Sequence, residues 1–291
     1  MPILELLQQS LAFAITCAAL VGLLVGSFLN VVIHRLPKMM ENEWRSECLS
    51  LLEQDTEQTD SEKYNLVTPP SHCPSCKSKI TALENVPLLS YLLQGGKCRH
   101  CAAKISIRYP FVELLTGVGA GWCMFHFGFN AAGMWAICLT FALIALSAID
   151  IDTQLLPDDI TLPFLWLGIL VNYFGVFTSL EEAVIGAIAG YLSLWSIFWG
   201  FKIITGKEGM GYGDFKLLAL LGAWLGWQAL PIIIIMSSVV GAILGGLILF
   251  LSKKDKSQPF PFGPYLAIAG WLHLIGATQP LQQMIFPTSG L

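Results

Sequence analysis

The sequence predicts an all-α polytopic membrane protein of about eight transmembrane helices, with one polar insertion between the first and the second. Three observations predict it. Only 12% of the 291 residues are charged, where a soluble domain carries about a quarter. Apolar runs recur at a length that crosses a bilayer, roughly 20 residues each. The basic residues gather in alternate connections, as the positive-inside rule requires of a multi-pass chain.

The first span is expected at 11–33. Its run lacks a basic n-region and a small-residue cleavage site, so it reads as a retained helix and not a signal peptide. The polar insertion fills 35–108, and further spans are expected at 109–128, 131–149, 160–178, 183–202, 214–229, 231–251 and 262–279. The sixth and seventh are separated only loosely, by "WLGWQALP". The expected domains are a first span over 1–34, the insertion over 35–108 and a membrane domain over 109–291.

Arg35, Lys38, Arg45, Lys63, Lys77, Lys79, Lys97, Arg99, Lys104 and Arg108 lie in the insertion. Lys202 and Lys207 follow the fifth span, Lys216 opens the sixth, and Lys253, Lys254 and Lys256 follow the seventh. Eight spans put all of these on one side, which places the insertion in the cytoplasm and both termini outside. A net charge of −4 without a broad basic face excludes a nucleic-acid partner.

Within the insertion, "CPSC" (Cys73, Cys76) and "CRHC" (Cys98, Cys101) are separated by 21 residues. Two CxxC turns at this spacing direct four thiolates at one tetrahedral Zn²⁺. The alternative, a pair of disulfides, does not suit a reducing compartment. Four protein ligands close the shell, so a structural zinc is expected, in a ribbon-like insertion whose stability comes largely from the metal. His72 and His100 then fall outside the ligand set. Cys17, Cys123 and Cys138 read as small hydrophobes and Cys48 as a free thiol. Ahead of the ribbon, Glu41, Glu43, Glu47, Glu53, Asp55, Glu57, Asp60 and Glu62 form an acidic stretch. It reads either as a solvated, partly helical insert or as an electrostatic attractor for a basic partner.

Two stretches carry carboxylates at the boundary of apolar runs: "ALSAIDIDTQLLPDDIT" at 145–161 and "GMGYGDFK" at 209–216. Asp150 ends the third span and Asp214 opens the sixth, so both are expected at the same membrane face. Ionisable groups at such positions are costly and mark function. A pair that meets cannot easily ionise together; one member activates water while the other hydrogen-bonds a carbonyl oxygen. Gly211 and Gly213 would let the backbone and a substrate pass close to Asp214, and could adopt positive φ where the chain unwinds. The competing reading makes Asp214 a helix cap. Pro157, Asp158 and Asp159 read as the turn and cap of the fourth span, and Asp152 as solvated.

Together with "GSFLNVVIHRLP" (Gly26–Pro37) and "HCPSC…CRHCAAKISIRYPFVELLTG", these stretches give four motifs in order. The sequence resembles the type IV prepilin peptidase family over nearly its whole length, "GMGYGDFK" containing the GxGD of a wider group of intramembrane proteases. The resemblance implies a bacterial inner-membrane enzyme that removes the short basic leader of type IV prepilins and pseudopilins, the latter of type II secretion. It implies N-methylation of the new terminus with S-adenosylmethionine. It also assigns the catalytic pair to Asp150 and Asp214, the spacing to Pro157 selecting Asp150 over Asp152. No Gly-rich turn of the Rossmann type marks the methyl-donor site. Gly95 and Gly96 could admit a ligand or form a plain turn; Asn30 and His34 could line a site or serve helix packing. Two other readings remain open: a GxGD protease of another substrate class, and an ion-binding or transport protein with a zinc-stabilised loop.

Overall fold

The computed structural model describes residues 3–52, 64–81, 83–207, 209–251 and 261–285, with the side chains of 245–251 and 285 outside that description. It divides into two compact units, Met1–Phe129 and Asn130–Leu291.

The first unit contains α1 (Ile3–Gln9), α2 (Leu11–Leu51), α3 (Leu89–Leu93) and α4 (Arg108–Phe127). The Ser10 hydroxyl starts α2 by accepting from the Phe13 N–H at 3.3 Å. Helix α2 runs far beyond the expected span end at 33, through Pro37. Good helix formers (Met, Glu, Arg, Leu) follow the proline, and Lys38 Nζ meets His34 Nε2 one turn back at 3.1 Å.

Small residues bring α2 and α4 together. A Cβ on Gly26 would sit 2.7 Å from the Glu113 Cα, and one on Gly22 would sit 2.7 Å from the Thr116 carbonyl. Any side chain there would part the helices. Two buried charged side chains then tie the intervening loop to this pair. Arg35 donates to the Asn65 and Pro69 carbonyls at 2.9 and 2.6 Å. Glu113 accepts from the Leu88 N–H at 2.9 Å and bonds the Ser27 hydroxyl. Burying such groups is tolerable because they are paired in this way. Glu41, Glu43 and Glu47 are exposed on the far end of α2, in keeping with a solvated, partly helical insert. Glu53, Asp55, Glu57, Asp60, Glu62 and Lys63 lie outside the described residues, as do Lys253, Lys254 and Lys256.

The second unit contains α5 (Ala131–Thr153), α6 (Asp158–Tyr173), α7 (Leu180–Thr205), α8 (Tyr212–Leu225), α9 (Leu230–Leu251), α10 (Gly263–Leu274) and α11 (Gln279–Ile285). Its centre is α8, buried at every position from Asp214 to Trp224 except Lys216, which is half-buried. Gly186, Gly190 and Gly222 allow α7 to approach it at backbone distance. Asn172, 1% exposed, locks the far end: its amide donates to the Ala223 and Trp224 carbonyls at 2.8 and 3.0 Å, and its oxygen accepts from the Phe177 and Thr178 N–H groups. Four backbone groups freed by turns and a helix end are thereby satisfied.

A helix stands at each of the eight expected places; among the described residues four are long and apolar enough to cross a membrane: Leu11–Leu51, Ala131–Thr153, Leu180–Thr205 and Trp227–Leu244. Helices α6, α8 and α10 have 16, 14 and 12 residues, short of the expected spans at 160–178, 214–229 and 262–279. Apolar residues continue through the turns that end them, so composition overstates their length. Gly175 (φ 67°) follows α6, Gly226 (φ 82°) stops α8, and Gly276 (φ 73°) follows α10.

Candidate functional site: a buried aspartate pair and a four-cysteine cluster

Asp150 occupies the last turn of α5, which closes when Gln154 turns left-handed (φ 57°) and its N–H reaches the Asp150 carbonyl at 2.9 Å. A carboxylate is unfavourable at this end of a helix dipole and in a buried place, yet Asp150 is 5% exposed. Its Oδ2 accepts from the Gly263 N–H at 2.9 Å, where α10 begins. Glycine is required there, because a Cβ on residue 263 would stand 2.7 Å from that oxygen.

Asp214 sits in the first turn of α8 and is 7% exposed. Its carboxylate accepts from the Gly211 N–H, and it lies close enough to Asp150 for the two carboxyls to interact. Helices α5 and α8 therefore bring the two expected carboxylates into one buried neighbourhood. The bond to Gly211 gives Asp214 a capping contact as well, so the two sequence readings of this residue coexist in one geometry.

The glycines act through space and not through unusual dihedrals. Gly211 has φ −81°, and Gly213 lies within α8, so the expected positive φ does not occur. The helix already begins at Tyr212, which removes the need for an unwound segment at Gly213. A Cβ on Gly213 would instead fall 2.8 Å from the Leu156 Cβ, and one on Gly263 would fall 3.2 Å from the Leu156 Cδ2. Leu156 thus wedges between the starts of α8 and α10. Gly213→Ala is expected to introduce about 1–3 kcal/mol of overpacking, read as a lower Tm and slower cleavage, with Leu156→Ala restoring part of both. No change in either quantity would show that the wedge does not set the spacing.

Asp152 is exposed. Pro157 and the two aspartates after it do start α6, and Asp158 has a further task. Its two oxygens each meet Lys216 Nζ at 2.7 Å, joining α6 to α8. The pair is partly exposed and contributes no more than about 1 kcal/mol, but it fixes the lysine of "GMGYGDFK".

In the first unit, the sulfurs of Cys73, Cys76, Cys98 and Cys101 all lie within 4.8 Å of one another. Cys73–Cys101 and Cys76–Cys98 are 3.8 and 4.0 Å apart. A zinc with bonds of about 2.3 Å sets tetrahedral sulfurs roughly 3.8 Å apart, so the cluster fits that ion. The two turns are built alike. Lys77 (φ 59°) donates to the Cys73 carbonyl and Cys73 to Ser78; Ala102 (φ 56°) donates to Cys98 and Cys98 to Ala103. The isolated bridges His72–Lys79 and Lys97–Lys104 close each turn. The Ser78 hydroxyl, followed by its backbone, pulls the Cys76 thiol down to about 6, toward the thiolate a metal needs. His72 and His100 are exposed and outside the cluster.

Residues 20–127 match the bacterial peptidase A24 N-terminal domain, and 137–246 match the type IV leader peptidase family. The chain is similar to a Pseudomonas aeruginosa protein described as prepilin leader peptidase/N-methyltransferase, 55% identical over 96% of each chain. Relatives with the same description from Aeromonas hydrophila and Neisseria gonorrhoeae are 57% and 48% identical, over 88% of each chain and over 89% of this chain and 90% of the other. The chain belongs to the type IV leader peptidase family. No solved structure matches it. The leader peptidase match contains both aspartates, and the N-terminal match contains all four cysteines.

Some features of this family member were not anticipated from its sequence. Glu113 within α4 carried a signal, a charge inside an apolar run. Leu156, Gly263 and the Asp158–Lys216 pair carried none, since each acquires meaning only from a partner distant in the chain. Asn30 donates to the Tyr109 carbonyl at 3.1 Å and so serves helix packing. His34 is exposed beside Lys38.

Proposed function

We propose that Asp150 and Asp214 cleave the short basic leader from type IV prepilins and pseudopilins at the cytoplasmic membrane face, and that the enzyme then N-methylates the new terminus. The observation that carries the cleavage reading is the burial of these two carboxyls together, on helices 64 positions apart in sequence. The activity of relatives that share nearly the whole length supports both reactions. One carboxylate takes a proton from water as its oxygen attacks the scissile carbonyl carbon. The other carboxyl donates a hydrogen bond to the carbonyl oxygen as charge develops there, and a proton reaches the leaving amine as the C–N bond breaks. The Gly263 and Gly211 N–H groups hold the two carboxyls in place. S-adenosylmethionine supplies the methyl carbon for the amine that cleavage releases.

Roles divide over 1–34, 35–108 and 109–291 as the sequence suggests. Basic residues confined to one side support eight spans in the bacterial inner membrane, with the dyad and metal ribbon facing the cytoplasm. Cys73, Cys76, Cys98 and Cys101 would hold one structural zinc. Purified enzyme given prepilin and S-adenosylmethionine is expected to yield a free leader and a methylated mature pilin by mass. Cleavage of unrelated membrane proteins with prepilin left intact would favour the other GxGD reading, and transport without hydrolysis would favour the non-enzymatic one.

A further inference from the structure

Three leucines on α3 turn away from the protein. Leu89, Leu92 and Leu93 stand at i, i+3 and i+4, one face of a helix, and are 58%, 72% and 86% exposed. Leu83, shortly before them, is exposed as well. An oily cluster of this kind marks an interaction surface.

The contacts of this segment fix how deep it lies. The Leu88 N–H, at the start of α3, donates to the Glu113 Oε2 at 2.9 Å, and Glu113 also bonds the Ser27 hydroxyl. Glu113 stands about 7 Å along α4 from its first residue, Arg108. Ser27 stands about 12 Å along α2 from Arg35, the residue that holds the loop at Asn65 and Pro69. Close to Ser27 and Glu113 in sequence, Leu24, Phe28, Phe111 and Leu114 are exposed and apolar, the kind of surface a bilayer covers. The entry to α3 therefore sits below the rim of the helix pair, where water is scarce. There the buried Glu113 carboxylate gives the Leu88 N–H the partner that water cannot. Leu88 itself takes φ 58° and ψ −47°, a costly conformation that persists only where the surroundings hold it.

We propose that Leu89, Leu92 and Leu93 insert into the cytoplasmic leaflet, so that α3 anchors the cysteine ribbon on the membrane surface. Interfacial segments reach a depth of about 5–10 Å, and the Glu113 contact sets α3 in that range. Charge elsewhere in the loop suits the same partner. Lys77, Lys79, Lys97, Arg99 and Lys104 are exposed, and anionic headgroups attract such residues. An apolar protein segment would cover the leucines but leave these cations unanswered. The proposal rests on the membrane reading above and alters one part of it: the insertion at 35–108 does not lie wholly in the cytoplasm.

The test uses the full chain in vesicles of phosphatidylethanolamine and phosphatidylglycerol, with a phospholipid that carries a carbene precursor in its acyl chain. After irradiation, trypsin releases 80–97 as one peptide, because Lys79 and Lys97 bound a stretch without Lys or Arg. Peptide 64–77 reports the rest of the loop, and 109–202, which carries α5 and most of α7, reports the bilayer. Labelling of 80–97 is expected to exceed that of 64–77 about tenfold per residue, and Leu92→Ser with Leu93→Ser to remove most of the excess at unchanged metal content. Equal labelling of 80–97 and 64–77 in the wild type, with 109–202 labelled, overturns the anchor whether or not the variant folds. If prepilin bearing a photoreactive side chain then crosslinks to 80–97, the leucines serve the substrate instead. Failure to label 109–202 would overturn the membrane reading itself.

Discussion

Asp150→Asn and Asp214→Asn are each expected to slow leader cleavage by about 10²–10⁴-fold. Asparagine keeps the shape and can still accept from the Gly263 or Gly211 N–H, so the fold should survive either change. What disappears is one ionisable partner of a coupled pair, and neither remaining carboxyl can play both parts. Methylation of pilin that already lacks its leader should persist in both variants, since transfer of a methyl group has no need of the pair. Asp152→Asn should be far milder, because that side chain is exposed while Asp150 is buried two residues earlier. Near-normal cleavage by Asp214→Asn would reduce that residue to its capping contact with Gly211 and remove the peptidase mechanism.

The chain is expected to purify with one zinc, and Cys98→Ser to release it. Structural zinc sites contribute on the order of 10–16 kcal/mol to small ribbons. The cysteine turns have little to replace that energy: Cys76 and Cys101 are exposed, and each turn is held by a few backbone hydrogen bonds and one isolated bridge. Amide exchange should therefore rise across residues 71–81 and 96–105. The α2–α4 pair should stay protected, because its glycine contacts do not involve the ribbon. Protein purified without chelators and found free of zinc would defeat this expectation.

The sequence was most informative where function depends on local spacing. Two CxxC turns declare their geometry within four residues each, and the four sulfurs come together as that spacing requires. The pairing of Asp150 with Asp214 was legible because each carboxylate interrupts an apolar run, a costly placement that calls for a reason. Helix positions were legible for a similar cause, but their lengths were not. Apolar side chains pack as well in a buried turn as in a helix, so hydropathy passes over Gly175 and Gly226 without a break. Helix α2 departs in the opposite direction: it continues past the expected span end at 33 and through Pro37, because one lost hydrogen bond does not stop a helix with many others. The role of Gly213 depends on Leu156, far away in the chain, and no periodicity reports such a neighbour.

Helix α8 has a consequence for how this chain can vary. Side chains such as Ile185, Ile188 and Leu192 on α7 are exposed, and one oily residue can replace another there with little effect on shape. Phe215, Leu217, Leu218, Leu220, Leu221 and Trp224 on α8 are fully enclosed, so a change of even one methylene is felt. Two helices of similar oiliness thus face different mutational regimes: the exposed face of α7 can drift among apolar residues, whereas α8 can change only when a neighbour changes volume with it. Random mutagenesis would find second-site suppressors of α8 lesions on the faces of α6, α7 and α10 that enclose it.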